Sequence, residues 1–230
     1  MSWLHLDPAS VVERVRASGL PARVPSLGGS LLRGVLGFTL VSVAGFAPWA
    51  LGAAWFHDKV GEAGMYAACA AVFIGLSGLL LHRLIIGPGS LWRFYLLFGA
   101  AFFPYAVAWI VAWMSLHRRN GHAASLIGLF VGTALMGWIF ARAFDARGAA
   151  LKSIVALFVL NTLGYYVGGW VEGSVAGLKN LSFAGLVVEK PAPITAAMLL
   201  WGVCYGIGFG AGLGLAFHFC QKTVREELRP

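Results

Sequence analysis

The stretch that decides the fold is Trp201–Cys220, WGVCYGIGFGAGLGLAFHFC. Six of its glycines fall into two sets with a spacing of four residues, namely Gly202, Gly206, Gly210 and Gly214, and Gly208 with Gly212. On a helix the first set drifts along one face and the second set lies roughly opposite. Glycine disfavours a helix in water, but in lipid unpaired backbone groups are so costly that the helix persists and its glycines become contact surfaces. We predict a central helix clasped between neighbours.

The composition is that of a membrane protein. The chain has 230 residues, of which 59% are hydrophobic and 11% charged, and its mean hydropathy is +0.79. Soluble domains are about 45–50% apolar and 25% charged. The 17 basic residues outnumber the 9 acidic residues. Because the basic residues lie between apolar segments, we interpret them as topology signals and as contacts with lipid headgroups. We therefore expect membrane lipids as partners and no nucleic acid.

Six apolar segments each approach the roughly 20 residues that cross a membrane. We place them at residues 32–56, 63–86, 92–115, 122–143, 151–171 and 196–220. The predicted fold class is all-α, a polytopic integral membrane protein with six transmembrane helices in one bundle. Residues 31–221 form the predicted transmembrane domain and residues 222–230 a cytoplasmic tail. The connection over residues 171–195 is expected to be a loop on the surface, or alternatively a lid or a half-inserted element that folds back on the bundle.

Residues 1–30 are predicted to be a cytoplasmic amphipathic segment and linker. Asp7 can cap a helix and Pro8 fits its first turn. Val11, Val12 and Val15 then lie on one side, which is typical of a short helix lying on the membrane surface. A partly ordered tail is the alternative.

The orientation follows from basic residues near the ends of the segments. With a cytoplasmic N-terminus, twelve of the 17 Lys and Arg residues lie on the cytoplasmic side. The positive-inside rule then predicts both termini in the cytoplasm. The expected location is a bacterial cytoplasmic (inner) membrane. Arg118 and Arg119 depart from the rule, because they fall in an outward turn, His117–His122.

A polar cluster is centred on Asn161, which falls near the midplane of the fifth segment. An amide has donors and an acceptor to satisfy, so Asn161 should face protein or a wet cavity. The cluster can be interhelical hydrogen bonds worth about 0.6–2 kcal/mol, or a site or path for a small polar or amphipathic ligand. The other candidate residues are Thr162, Tyr165, Tyr166, Tyr105, Thr133 and Tyr205.

Paired glycines also occur on the fourth and fifth segments, at Gly128 and Gly132 and at Gly164 and Gly168. Small residues four apart let helix backbones approach closely. Notched surfaces therefore extend over the last half of the predicted bundle. We expect one face of Trp201–Cys220 to bind the fourth and fifth helices and the other to bind a partner.

Four histidines near the segment ends are weak candidates for heme b ligands. Heme b needs two imidazoles on facing helices at matched depth. His82 and His218 fall on the predicted cytoplasmic side, and His117 and His122 on the outer side. Interfacial histidines that bond to headgroups or water are commoner, so no cofactor is predicted and heme b remains an alternative.

Three functions follow from these features, in order of preference. The first is a non-enzymatic subunit or accessory protein that packs against other membrane proteins, or against itself, through its glycine-rich faces. The second is a small-solute transporter or channel with a midplane polar site around Asn161. The third is a heme-binding electron-transfer subunit. No catalytic residue is predicted.

Overall fold

The computed structural model describes residues 4–19, 24–183, 186–189 and 192–229. Within them the chain forms helices α1 Pro8–Ala17, α2 Leu27–Lys59, α3 Gly61–Leu81, α4 Ser90–Ala143, α5 Ala150–Ala176, α6 Ala192–Cys220 and α7 Lys222–Glu227, and strands β1 Asn180–Phe183 and β2 Leu186–Glu189. Five of these helices, α2 to α6, are long and apolar enough to cross a membrane. The chain is therefore a multi-pass, essentially all-helical membrane protein.

Helix α4 folds back on itself. Its 54 residues would extend about 81 Å if straight, but Asn120 has the non-helical angles φ −158° and ψ 99°. A Cβ atom built on Gly132 would lie 2.7 Å from Tyr105 Cδ2, and one on Gly128 would lie 2.9 Å from Trp109 Cα. Residues 90–119 and 121–143 are therefore two antiparallel halves, joined at Asn120 within the sequence predicted to be a turn.

One face of α6 lies directly against α2. A Cβ atom on Gly206 would lie 2.6 Å from Thr39 Cα, and one on Gly210 would lie 2.3 Å from the carbonyl oxygen of Gly34. Gly214 approaches Ser30 O in the same way, and Gly202 lies against Phe46. These glycines bring the two backbones into contact that no other residue type would allow.

The opposite face of α6 lies against α5. A Cβ atom on Gly208 would lie 2.3 Å from Leu160 O, and one on Gly164 would lie 2.7 Å from Cys204 O. Gly212 similarly approaches Leu157, while Gly168 approaches Trp201. Both glycine faces of α6 are thus occupied by helices of the same chain. The expected contact with the fifth helix is present, but α2 takes the face that was assigned to a partner, and the fourth helix does not share the face of α5. The fourth-helix glycines, Gly128 and Gly132, instead close the α4 hairpin.

The N-terminal segment contains helix α1, but its valines do not face lipid as the prediction of a helix on the membrane surface required. Val11, Val12 and Val15 of α1 are buried with Ile86, before α4, and Val224 of α7. Asp7 caps α1 by accepting hydrogen bonds from Ser10 N at 3.0 Å and Ser10 Oγ at 2.7 Å. The apolar side of α1 thus packs on protein, because α7 and the α3–α4 connection offer it an apolar surface.

Gln221, between α6 and α7, fastens this end of the bundle. Its side chain is 1% exposed. Its Oε1 accepts a hydrogen bond from Ile86 N at 2.8 Å, and its Nε2 donates to Leu84 O at 2.8 Å and to Phe217 O at 3.0 Å. The α3–α4 connection, α6 and both ends of the chain therefore meet on one face, which we call the termini face.

At the opposite end, the connection predicted to be a surface loop or a lid is partly regular. Helix α5 continues to Ala176, and β1 pairs antiparallel with β2. The backbone of this hairpin lies next to α6. Backbone pairing within the hairpin satisfies donors and acceptors that an irregular loop would leave to water.

The outer surface of the bundle is apolar, as a lipid-facing surface requires. Large exposed side chains occur on several of the long helices, including Leu51, Phe103, Leu151 and Trp170, each more than 70% exposed. Several polar side chains of these helices, including Ser42, Thr133 and Asn161, are buried in the interior.

Candidate functional site

Three polar side chains from three helices meet inside the bundle. Asn161 Nδ2 of α5 donates a hydrogen bond to Tyr105 Oη of α4 at 3.0 Å. Tyr105 Oη lies 2.8 Å from Tyr205 Oη of α6, in a second hydrogen bond. Asn161 is fully buried, and the two tyrosines are 5% and 7% exposed. The structure therefore brings together three of the residues singled out in the sequence.

Aromatic rings enclose the two hydroxyl groups. The Tyr205 ring stacks between Trp201 and Phe209, at centroid distances of 5.4 and 5.7 Å. This stack follows from a four-residue spacing on α6, which puts the three rings one above another. Phe209 also contacts the Tyr105 ring, at 5.2 Å. The hydroxyl pair consequently lies in a medium of low polarity, where an unpaired polar atom is costly.

Four buried polar atoms at this depth have no hydrogen-bond partner. They are Asn161 Oδ1 and Thr162 Oγ1 on α5, and Thr39 Oγ1 and Ser42 Oγ on α2. Thr39 and Ser42 lie against Gly206, and Asn161 follows Leu160, which lies against Gly208. Gly206 and Gly208 are two positions apart on α6, which corresponds to about 3 Å along the helix axis. The four atoms therefore lie at one level, on the two sides of α6.

We call this level the polar layer, and define it as Thr39, Ser42, Tyr105, Thr133, Asn161, Thr162 and Tyr205. Thr133 is fully buried and follows Gly132, which touches Tyr105. Its hydroxyl donates to Leu129 O of its own helix at 2.7 Å. All seven side chains are uncharged, so the layer offers hydrogen bonds and aromatic faces without a formal charge.

Two predicted residues lie outside the layer. Tyr165 Oη is 3.0 Å from Ser125 Oγ of α4 and so forms a separate link between α4 and α5. Tyr166 Oη donates to His122 O at 3.3 Å, near Asn120, where α4 turns. These two tyrosines therefore fasten the far end of the bundle and do not join the Asn161 network.

The polar layer is closed. Two surface recesses lined by described residues lie elsewhere. One is between α2 and α3 beside Trp49 and His57, and the other is between α1 and α7 beside Val12 and Glu227. A solute could reach the layer only if helices moved apart.

Each of the heme-ligand candidates has a local contact. His82 Nδ1 lies 2.9 Å from Ser90 Oγ, and His218 Nδ1 lies 3.4 Å from Ser30 Oγ. At the other end, His117 Nδ1 lies 2.7 Å from Trp113 O, and the His122 ring contacts Tyr166 at 5.8 Å. None of these four contacts joins two of the candidate histidines.

The sequence interpretation missed several polar residues of the interior. Ser125 and Ser42 were not singled out, nor was Thr39, because serine and threonine in a membrane helix usually bond to a carbonyl of their own helix. The contact of Thr39 and Ser42 with Gly206 of α6 becomes evident only from the position of α2 in the fold. The signal available was their position near the middle of an apolar segment.

Comparison with other proteins adds no assignment to this geometry. The chain matches no protein-family model, no curated protein and no solved structure. Its function must therefore be argued from the polar layer and its surroundings.

Proposed function

We propose that the protein is a small-solute transporter or channel, whose solute binds at the polar layer. The observation that carries this proposal is the set of four unpartnered buried atoms at one level of the bundle. An unsatisfied polar group buried away from water costs about 1–3 kcal/mol. A polar solute, with its hydration, would supply the missing partners during passage.

The proposed topology has six spans with both termini in the cytoplasm of a bacterial cell. Two crossings by α4 are supported by the break at Asn120, since a hydrocarbon core of about 30 Å cannot hold a straight helix of 54 residues. An even number of crossings fits the position of both chain ends at the termini face. The positive-inside rule favours that face as the cytoplasmic one.

The solute of this site should be neutral and should carry a hydrogen-bond donor. Asn161 Nδ2 is already engaged by Tyr105, whereas Asn161 Oδ1 is a free acceptor. The seven side chains of the polar layer carry no charge that would balance an ion. Alcohols and amides have the donors that Asn161 Oδ1 lacks, and their apolar parts can lie on the rings of Tyr205 and Phe209.

Opening of the layer is expected to involve α4 against the other helices. Helices α2, α5 and α6 are held by glycine contacts between backbones, such as Gly210 with Gly34 and Gly208 with Leu160. At the level of the layer, α4 is joined to α5 and α6 through the Tyr105 hydroxyl. Breaking these two bonds requires an exchange of hydrogen-bond partners, which a solute can provide, while the close approach of Gly137 to Ile154 keeps α4 against α5 outside the layer.

An accessory subunit, the function preferred from the sequence, is retained as the second candidate. The described chain outside the long helices is confined to short elements, chiefly α1, α7 and the β hairpin, as expected of a protein that acts within the membrane. The glycine faces of α6 no longer favour it, because α2 and α5 cover them. A partner would have to bind the lipid-facing surface.

The test is a swelling assay with purified protein in lipid vesicles, using glycerol, urea and acetamide as neutral solutes. We expect the wild-type protein to accelerate swelling with at least one of them, and Asn161→Leu to abolish the acceleration. Tyr166→Phe is the matched control, because Tyr166 lies outside the polar layer, and it should retain the activity.

The proposal is wrong if the wild-type protein accelerates swelling with none of the three solutes, or if correctly folded Asn161→Leu protein transports as the wild type does. An absorption spectrum of the same preparation tests the heme alternative, since bound heme b would give a Soret band.

A further inference from the structure

Two arginines converge on the N-terminal segment at the termini face. Arg93, in the first turns of α4, donates from Nε to Leu4 O at 3.0 Å. Arg14, on α1, donates from Nη1 to His5 O at 2.5 Å. Successive carbonyl groups of one short segment thus bind the two guanidinium groups, which are near enough for the charge of Arg93 to act on Arg14.

The positive charge of this pair has no acidic partner. Among the described residues, the ion pair found within 4.0 Å joins Lys222 to Glu226. Asp7 is the acidic residue that acts on Arg14, but its oxygens accept hydrogen bonds from Ser10 as the cap of α1. The first turn of α4 contains no acidic residue. Asp7 therefore offsets the repulsion between the two arginines only in part, without forming an ion pair with either of them.

Proximity and burial act on Arg14 in the same direction. Burial, and then the charge of Arg93, lower the pKa of the Arg14 guanidinium from its ordinary value. Both effects disfavour the charged form. An anion placed between the two side chains would remove the repulsion and replace the lost hydration.

Donors remain for such an anion. Arg14 Nε is buried and has no hydrogen-bond partner. Arg93 uses Nε for Leu4 O and Nη1 for Gly89 O and Pro88 O, at 3.0 and 3.3 Å, which leaves its Nη2 outside these bonds. Guanidinium groups fit the geometry of phosphate oxygens and form short, strong hydrogen bonds with them.

The depth of Arg93 suits a lipid headgroup. The preceding residue, Trp92, is 68% exposed, and tryptophan is enriched at the membrane–water interface. Leu91 is also exposed. Arg93 is therefore beside a lipid-facing surface at the level where phosphate groups lie.

We propose that Arg14 and Arg93 together bind one phosphate group at the termini face, either the phosphodiester of an anionic lipid or a free phosphate. Occupancy of this site would fasten α1 to the amino end of α4. The site is separate from the polar layer and does not depend on solute transport.

The experiment compares ligands on the purified full-length protein in a neutral detergent. The probes are dioleoylphosphatidylglycerol, zwitterionic dioleoylphosphatidylcholine and inorganic phosphate, and the readouts are lipid retention by native mass spectrometry and the melting temperature. We expect the wild-type protein to retain phosphatidylglycerol in preference to phosphatidylcholine and to melt at a higher temperature with it. Loss of two charge-assisted contacts in Arg14→Gln/Arg93→Gln should weaken retention about tenfold or more.

The matched control is Arg118→Gln/Arg119→Gln, which removes the same charge from two exposed arginines at the opposite end and should preserve the preference. If inorganic phosphate raises the melting temperature as phosphatidylglycerol does, and the Arg14/Arg93 variant loses both effects, the ligand is free phosphate. Should the double variant not fold, Arg14→Gln alone is compared with the wild type.

The proposal is overturned if the wild-type protein shows no preference for phosphatidylglycerol and no response to phosphate. It is also overturned if a folded variant of this pair retains phosphatidylglycerol as the wild type does. Loss of the preference in the Arg118→Gln/Arg119→Gln control would overturn it too, because binding would then not depend specifically on Arg14 and Arg93.

Discussion

Two buried amide side chains of this protein are treated in opposite ways. Gln221, at the termini face, is 1% exposed, and both ends of its amide are hydrogen-bonded, to Ile86 N and to the carbonyl groups of Leu84 and Phe217. Asn161, in the polar layer, is fully buried, but only its Nδ2 has a partner, Tyr105 Oη.

The difference separates a structural amide from a candidate binding amide. Buried polar groups in folded proteins are normally satisfied, and an exception calls for an explanation such as a ligand or water. Gln221 satisfies Ile86 N and Leu84 O, two backbone groups of the α3–α4 connection. Asn161 keeps an acceptor free in the interior, at a level where Thr162, Thr39 and Ser42 also have unpartnered oxygens.

The largest expected effect on stability comes from Gln221→Leu. This change leaves Ile86 N and Leu84 O buried without a partner, at a cost of about 1–3 kcal/mol for each group. We expect the free energy of unfolding in detergent to fall by several kcal/mol. Denaturant titration followed by tryptophan fluorescence measures it.

The matching substitution is Asn161→Leu, which removes one hydrogen bond and also removes an unsatisfied acceptor. The two changes oppose each other, so the free energy of unfolding should stay within about 1 kcal/mol of wild type. If Asn161→Leu costs as much as Gln221→Leu, the distinction between the two amides fails. Lys222→Leu, at the exposed residue that follows Gln221, is the control for the effect of placing a leucine in this part of the chain.

Tyr205→Phe is expected to cost less stability than Gln221→Leu. It breaks the hydroxyl contact with Tyr105 but keeps the ring stacked between Trp201 and Phe209. Interhelical hydrogen bonds in membranes are worth about 0.6 kcal/mol on average and up to about 1.7, so the loss should fall in that range in the same titration. Tyr66→Phe, at a position 65% exposed, should have no effect, and an equal loss there would contradict the role given to Tyr205.

The smallest effect is a pH dependence confined to the termini face. The hydrogen bond from Ser10 N lowers the pKa of Asp7 from its ordinary value. Because the folded state has the lower pKa, the contribution of this cap is complete above the pKa of the unfolded chain and is lost as pH falls through the folded value.

Hydrogen exchange measures this dependence. We expect the amides of α1 to exchange faster in acid, after correction for the intrinsic rate, and Asp7→Asn to remove the change. The uncharged polar layer should show no corresponding change. A pH dependence of α1 that persists in Asp7→Asn would assign the effect to another group.

The sequence was informative where a pattern acts locally. Apolar length identified the membrane helices, and Asp7 with Pro8 marked the start of α1. The spacing of the glycines predicted a clasped helix, and close approaches involving Gly210 and Gly208 occur on its two sides. The identity of the neighbours was wrong in part, because a glycine face indicates close approach without specifying which helix approaches.

The polar residues show the same limit. Asn161 was recognised because a single amide in an apolar segment is unusual, and Tyr105 and Tyr205 were named with it. Tyr165 and Tyr166, which are near it in sequence, bond elsewhere. Tyr165 shares the face of Asn161 but lies one turn, about 6 Å, further along the helix, and Tyr166 points in a different direction. The pairing of Gln221 with the α3–α4 connection spans more than 130 residues and has no local signal.

The position of α6 between α2 and α5 has a consequence for biosynthesis. The element that fills the centre is the last long helix to be synthesised. About 160 residues separate the end of α2 from the end of α6, which at roughly 5–20 residues per second corresponds to about 8–32 s of translation. During this interval the surface of α2 that contacts α6 has no α6 to cover it, and that of α5 lacks α6 for only the last 44 of these residues. A chain released before α6 would expose both surfaces to the membrane's insertion and quality-control machinery.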